Sequence, residues 1–176
     1  MSRRRKRLLI LIGAGCFSMI SAAIIWNVLK WYREMMCLAN VHQLGLVMIN
    51  YAADHDERFP PSFGALLKEG DWPLRLEYFV CPSSGKSAPV PCDFPADFKT
   101  GERDLLDSVE DWGTYVMVKG LKHAASAETI IIYEKAGNHG GKGRACYFDS
   151  GEVKWLTEAE FQKHMKAQET KLRDMR

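Results

Sequence analysis

The sequence predicts an α+β fold, in which a long N-terminal helix packs on a small antiparallel β-sheet and another helix follows at the C-terminus. Three observations carry this prediction. An apolar run, Leu8–Leu29, continues with little break into an amphipathic segment, Trp31–His55. Short runs of β-branched and aromatic residues follow in the second half of the chain. A capping box at Thr157–Glu160 then opens a last helix. Helices and strands that are segregated along the chain are typical of α+β proteins.

The apolar run Leu8–Leu29 predicts a transmembrane helix. It holds 22 residues without a formal charge, and at about 1.5 Å per residue it is about 33 Å long, enough to cross a bilayer core. Residues 3–7, RRRKR, precede it and predict a cytoplasmic N-terminus. We therefore expect a single-pass membrane protein. Residues 1–7 would be cytoplasmic, residues 8–29 would span the membrane, and residues 30–176 would form an extracytoplasmic domain.

Processing of this segment has two alternatives. Ser21-Ala22-Ala23 has the small residues of a signal-peptidase site, and Gly13–Cys16 faintly resembles a lipoprotein acylation site. Apolar residues continue beyond both positions, which favours an uncleaved anchor. We expect the N-terminus to be retained.

The segment Trp31–His55 predicts an amphipathic helix. Its apolar residues recur at helical spacing, and the helix should end near Asp54–Arg58 because Pro60-Pro61 cannot continue it. The core-facing positions are Cys37, Val41, Leu44, Met48 and Tyr51.

The remaining elements are short. Ser62 precedes a helical segment at Phe63–Glu69, Leu74–Val80 is a second short element, and the proline-rich stretch Pro82–Gly101 predicts a long loop. The predicted strands are Thr114–Val118, Thr129–Tyr133, Arg144–Phe148 and Glu152–Leu156, the last two forming a hairpin around Asp149-Ser150-Gly151.

The charge, the motifs and the cysteine content argue against several classes of function. Five of the 24 basic residues precede Leu8, which leaves 19 against 22 acidic residues in the remainder. The basic balance is therefore a topology signal, and we expect no nucleic-acid partner. The sequence shows no phosphate-binding glycine loop followed by a helix and no nucleophile motif, so we expect no cofactor. It has no CxxC pair or close Cys/His cluster, so we expect no structural zinc site.

Four separated segments together resemble one family. The first runs CLANVHQLGL from Cys37, continues to Asn50-Tyr51 and reaches Arg58-Phe59-Pro60. The second is Phe79-Val80-Cys81-Pro82-Ser83, and the third comprises Tyr115 to Leu121 with Tyr133-Glu134-Lys135. In the fourth, nine residues separate His139 from Asp149. These segments resemble the pilin-like proteins with a prepilin-type processing-associated C-terminal motif that are common in planctomycetes and verrucomicrobia. The matching residues are Cys37, Asn40, Gln43, Leu44, Gly45, Tyr51, Pro60, Cys81, Pro82, Glu134, His139, Asp149 and Gly151.

The resemblance implies a bacterial, pseudopilin-like structural or assembly component of a type II secretion or pilus-like system, not an enzyme. It also implies that the anchor lies in the inner (cytoplasmic) membrane and that the domain is periplasmic. Its implied partners are the membrane, other pilin-like subunits and secretion-system components. The chain departs from the family in two respects. The family's Asp-Gly is Asp149-Ser150-Gly151 here, and no prepilin-peptidase sequence precedes the apolar run.

Cys37 and Cys81 lie in two of the resembled segments, and in the family both segments carry a cysteine. The resemblance therefore implies a Cys37–Cys81 disulfide. Two alternatives stay open: a local Cys81–Cys92 bridge, and a chain whose thiols are all free. A bonded pair should have Cα atoms about 4.4–6.8 Å apart.

A second function class rests on polar residues. Glu134, His139 and Asp149 would form a metal or acid–base site if their side chains converged. The chain would then be a membrane-anchored extracytoplasmic domain that binds a ligand or performs metal-dependent hydrolysis. In the simpler interpretation, His139 and Asp149 bond to turn backbone and fix the ends of a strand pair.

Overall fold

The computed structural model describes residues 3–69, 74–88, 108–123 and 126–174. For residues 3, 6–11, 13–14 and 174 it describes the backbone only. The predicted α+β fold is confirmed, with a long first helix, a four-stranded antiparallel sheet and a last helix. The helices are α1 (Arg3–Asp54), α2 (Phe63–Lys68), a 3-10 helix (Leu76–Phe79), α3 (Val109–Trp112) and α4 (Glu158–Asp174). The strands are β1 (Tyr115–Met117), β2 (Ile130–Glu134), β3 (Gly143–Phe148) and β4 (Val153–Thr157).

The first helix, α1, joins two different environments. It has 52 residues, which is about 78 Å of helix. From Cys37 onward its predicted core positions Cys37, Val41, Leu44 and Met48 are fully buried. Before that point its large apolar side chains are exposed, and Phe17 and Trp26 are examples. One unbroken helix therefore enters the domain only with its C-terminal third.

The membrane predictions are corrected by the structure. No helix in the described part of the chain has a stretch long and apolar enough to cross a membrane. Polar side chains lower the mean hydropathy of this part of the helix. Ser21 and Asn27 lie within the apolar run, where each donates to the backbone carbonyl one turn earlier, and Lys30 follows the run directly. The predicted transmembrane helix at Leu8–Leu29 is therefore wrong, and so are the single-pass inner-membrane localisation and its cytoplasmic and extracytoplasmic sides.

The end of α1 follows the sequence prediction. The helix stops at Asp54, six residues before Pro60. Glu57 donates its backbone N–H to the carbonyl of Ala52, which satisfies one of the carbonyls left open at a helix C-terminus. Ser62 then caps α2 by accepting the N–H of Ala65 at 2.9 Å.

The sheet is a meander with strand order β1-β2-β3-β4, and every neighbouring pair is antiparallel. The β3–β4 hairpin turns at Asp149–Gly151, as the sequence predicts. Gly151 adopts a φ of 85°, a conformation that costs glycine little.

Both faces of the sheet are covered, which explains why every residue of β3 is buried. Successive side chains of a strand point to opposite faces. Ala145 and Tyr147 belong to the core that contains the buried part of α1, whereas Cys146 and Phe148 pack with Phe161 of α4. Burial raises the pKa of Cys146 to about 12, so its thiol stays protonated at neutral pH.

The C-terminal helix is fixed at its first turn. Thr157 and Glu160 form the predicted capping box, because the N–H of Thr157 donates to the Glu160 carboxylate and the N–H of Glu160 donates to Thr157 Oγ1. The Arg144 guanidinium of β3 makes two hydrogen bonds to Glu158, at 2.6 and 2.9 Å. These bonds lower the pKa of Glu158 to about 2.

The helix α1 approaches the sheet closely at Gly45. A Cβ atom at this position would lie inside van der Waals distance of the Tyr147 ring, which is fully buried against the helix. Glycine is therefore required here for space and not for its backbone freedom. The matching position outside the domain is Gly15, where a Cβ would meet no atom within 4 Å.

We predict that Gly45→Ala lowers the free energy of unfolding by about 1–3 kcal/mol, because the added methyl group must displace Tyr147 or α1. Urea denaturation of the folded domain measures this effect. Gly15→Ala is the control and should leave that value unchanged, since its methyl group is exposed and favours the helix. Equal stability of the two variants would contradict this account of the α1–sheet contact.

Candidate functional site

Four polar or sulfur-containing residues meet where α1 enters the domain, and all of them except the partly buried His139 are buried. They are Cys37 of α1, Cys81 after the 3-10 helix, Glu134 at the end of β2 and His139 in the following turn. Each contributes one potential ligand atom, and these four atoms lie within 4.8 Å of one another. We call this group the Cys–Glu–His cluster.

The two sulfur atoms of the cluster are joined by a disulfide. Cys37 and Cys81 are bonded, with their Cα atoms 5.1 Å apart, and both residues are fully buried. The pair is the one that the resemblance implies. The two cysteines are 44 positions apart in the sequence, and for a loop of that length the loop-closure entropy alone gives about 4 kcal/mol of stabilisation. Of the alternative partners, Cys92 lies outside the described residues, and Cys16 and Cys146 carry free thiols.

Glu134 is a fully buried carboxylate with two partners. Its Oε2 atom accepts the backbone N–H of Ala145 at 2.8 Å, and its oxygens lie 3.0 and 3.1 Å from Nε2 of His139. A buried carboxylate without such bonds would be costly. Burial and the neighbouring Glu134 charge together raise the pKa of Tyr115, whose hydroxyl donates to the carbonyl of Cys37.

His139 is held in place by the turn between β2 and β3. Its Nε2 atom lies 3.5 Å from Cys81 Sγ, and its ring meets the Trp155 ring edge-on, with centroids 4.6 Å apart. The preceding residue, Asn138, donates its side-chain N–H to the carbonyl of Thr114 at 3.2 Å. The imidazole is therefore fixed between a sulfur atom and a carboxylate, with 4% of its side chain exposed.

A cavity opens beside the cluster. It has a volume of about 230 Å³ and lies between the exposed part of α1 and the His139 turn. Its lining includes Trp26, Arg33, Ser83, His139 and Lys142. His139 is the cluster member that this cavity reaches, so the cavity connects the buried group with the outside.

Asp149 and Gly151, the end of the resembled C-terminal motif, do not join the cluster. Oδ1 of Asp149 lies 2.6 Å from Nδ1 of His123, and its backbone N–H donates to the carbonyl of Thr129. His123 in turn donates its backbone N–H to the carbonyl of Glu57. Asp149 thus ties the β3–β4 hairpin to the segment that crosses the end of α1.

The other residues of the resembled motifs support packing. Asn40 is buried and donates to the carbonyl of Val80 at 3.1 Å, which anchors the segment that carries Cys81. Tyr51 stacks on His55 with ring centroids 3.8 Å apart. Leu44 and Pro60 are buried, whereas Gln43 and Pro82 are exposed.

Sequence reasoning missed the cluster as a unit. It identified all four residues, but it placed Glu134 and His139 with Asp149 and placed the cysteines in a separate disulfide. The cluster combines residues from positions 37, 81, 134 and 139 of the sequence. Three separate regions of the chain contribute, so no local spacing predicts that these residues meet. The short step from Glu134 to His139 was the available clue.

Comparison with known proteins yields no match to a protein-family model, to a curated protein or to a solved structure.

We predict that Glu134→Ala lowers the free energy of unfolding by about 1–3 kcal/mol, because the buried N–H of Ala145 loses its acceptor. Urea denaturation with the disulfide intact measures this loss. Glu128→Ala is the matched control, since the Glu128 side chain is 79% exposed and its removal should change stability by less than about 0.5 kcal/mol. If the two variants are equally stable, Glu134 does not hold the β2–β3 region as described.

Proposed function

We propose that this chain is a pilin-like structural subunit of a secretion or pilus-like system, which assembles with further copies of itself through the exposed part of α1, and that it is not an enzyme. The observation that carries the proposal is the exposed apolar surface of α1 beyond the domain. The four resembled segments and the arrangement of a small sheet on a long N-terminal helix support it.

The apolar surface includes a continuous line of side chains, Phe17, Ile20, Ile24, Val28, Trp31 and Met35, which we call the α1 stripe. Its steps of three and four residues keep the side chains within an arc of about 80° on the helix. Each is between 46% and 73% exposed. The stripe runs for about 27 Å along the helix.

Such a stripe is the surface that helix–helix packing requires. Helices associate when apolar side chains at three- and four-residue spacing insert between those of a partner helix. Soluble proteins rarely leave a continuous apolar patch of this extent exposed unless it binds something. A second copy of the chain presents the same stripe on an equally long helix, so the two surfaces match in length and character.

The opposite side of the helix is mixed. Ala22, Lys30 and Arg33 lie roughly opposite Ile24 on a helical projection, and so does the exposed Trp26. The two positive charges on this side have no counterpart in the stripe, and this difference favours association through the stripe.

The hydrolytic alternative requires Asp149 to act with Glu134 and His139. Asp149 instead pairs with His123 at 2.6 Å, and the acid and imidazole that do meet are packed against a disulfide. This arrangement favours the structural function over catalysis.

We predict that the purified full-length chain forms oligomers of defined size as its concentration rises, and that Ile24→Glu weakens this association at least tenfold, or about 1.4 kcal/mol. The variant buries a charge in the contact between stripes. Sedimentation velocity over a range of concentrations measures the association. Ala22→Glu, which adds the same charge on the opposite side, is the control and should assemble like the unmodified chain. A chain that stays monomeric, or equal loss in both variants, would overturn assembly through the stripe.

A further inference from the structure

The Cys–Glu–His cluster has the composition of a metal site as well as that of a disulfide. Two sulfurs, one imidazole and one carboxylate are ligand types that Zn²⁺ accepts in tetrahedral sites. The four residues come from separate positions in the fold, and all four ligand atoms lie within 4.8 Å of one another. This convergence exists without any rearrangement of the backbone that carries them.

The separations of His139 from Cys81 and Glu134 are close to the edges of such a site. Nε2 of His139 lies 3.5 Å from Cys81 Sγ and 3.0–3.1 Å from the Glu134 oxygens. With metal–ligand bonds of about 2.0–2.3 Å, the edges of a tetrahedron are about 3.3–3.8 Å long. The His139–Glu134 separations are slightly shorter than this range because the two side chains are in direct contact, and the two sulfurs are closer still because they are bonded to each other.

Neighbouring residues also orient the side chains of Glu134, His139 and Cys81. The backbone N–H of Ala145 occupies Oε2 of Glu134 and leaves Oε1 for a metal ion. Trp155 fixes the His139 ring, and the backbone N–H of Ser83 points at Cys81 Sγ at 3.4 Å. Metal sites in proteins depend on such outer contacts to orient their ligands.

We propose that reduction of the Cys37–Cys81 disulfide converts the cluster into a Zn²⁺ site with Cys37, Cys81, Glu134 and His139 as its ligands. The disulfide and the metal ion are then two alternative cross-links between α1 and the rest of the domain. The proposal concerns the interior of the domain, and it stands or falls separately from assembly through the α1 stripe.

The chemistry balances with a dithiol as the reductant. The dithiol transfers two electrons and two protons to the Cys37–Cys81 bond and becomes a disulfide itself, which leaves two thiols in the cluster. Binding of Zn²⁺ then releases both thiol protons to solvent, because the thiolate is the ligand. The His139 proton on Nε2, which faces Glu134, moves to Nδ1 in the same step, because the ion binds the unprotonated nitrogen. The two thiolates, the carboxylate and the ion sum to one negative charge, compared with the negative charge of Glu134 alone in the oxidised form.

The cavity beside His139 provides the route to the cluster. Its lining includes Ser83 and His139, so it reaches the segment of Cys81 and one of the proposed ligands. A reductant and a hydrated ion can approach the cluster from this side. The other three residues of the cluster, Cys37, Cys81 and Glu134, are fully buried.

The experiment compares the oxidised and reduced full-length chain, so it requires no mutation. Each form is incubated anaerobically with Zn²⁺, passed over a desalting column and analysed for zinc content. Co²⁺ serves as the spectroscopic probe, because tetrahedral Co²⁺ with thiolate ligands shows strong visible bands and a thiolate-to-metal charge-transfer band. Alkylation followed by peptide mass spectrometry then tests which cysteines the ion protects.

We expect one Zn²⁺ per reduced chain and none per oxidised chain at this site, with protection of Cys37 and Cys81 but not of Cys16. His139→Gln should weaken binding by about 100-fold or more, whereas His164→Gln, at an exposed histidine of α4, should bind like the unmodified chain. Reduced protein without bound metal, equal binding by both redox forms, or Co²⁺ without the charge-transfer band would overturn the proposal. Should His139→Gln fail to fold, the comparison of redox forms and the alkylation pattern still decide it.

Discussion

The structure depends on the burial of the C-terminal third of α1 against the sheet. Two contacts fix it: the Tyr147 ring packs on the bare backbone of Gly45, and the disulfide joins Cys37 to Cys81. The first sets how closely helix and strand approach, and the second fixes where the helix leaves the domain. Glu134 and His139 pack around that exit point, so the site and the fold share one set of contacts.

The proposed assembly would give α1 two functions. A helix of this length can be stable in water only if packing supports it, because propensity alone stabilises isolated helices weakly. The domain supplies that packing from Cys37 onward. The exposed portion before it has no such support within the described chain, which is why we assign the α1 stripe to contacts with other copies. The disulfide at Cys37 would then join the assembled part of α1 to the rest of the domain.

The sequence predicted the elements whose signals are local. The proline stop after α1, the Ser62 cap, the turn at Asp149–Gly151 and the capping box at Thr157–Glu160 each depend on neighbours in the chain, and each was placed within a few residues. The membrane prediction failed because hydropathy over Leu8–Leu29 was taken without the polar residues that follow and interrupt it. The cluster could not be predicted because its members meet only after β2 and the His139 turn fold against α1. The partner of Asp149, His123, was missed for the same reason.

Hydrogen exchange along α1, followed by mass spectrometry at low and high protein concentration, tests the central claim most directly. The account predicts slow exchange of amides 40–54 at both concentrations. It predicts fast exchange of amides 15–35 in the dilute protein and slow exchange when the protein is concentrated, because only a second copy protects them. Protection of residues 15–35 that is the same at both concentrations would contradict the division of α1 into a domain-held part and an assembling part.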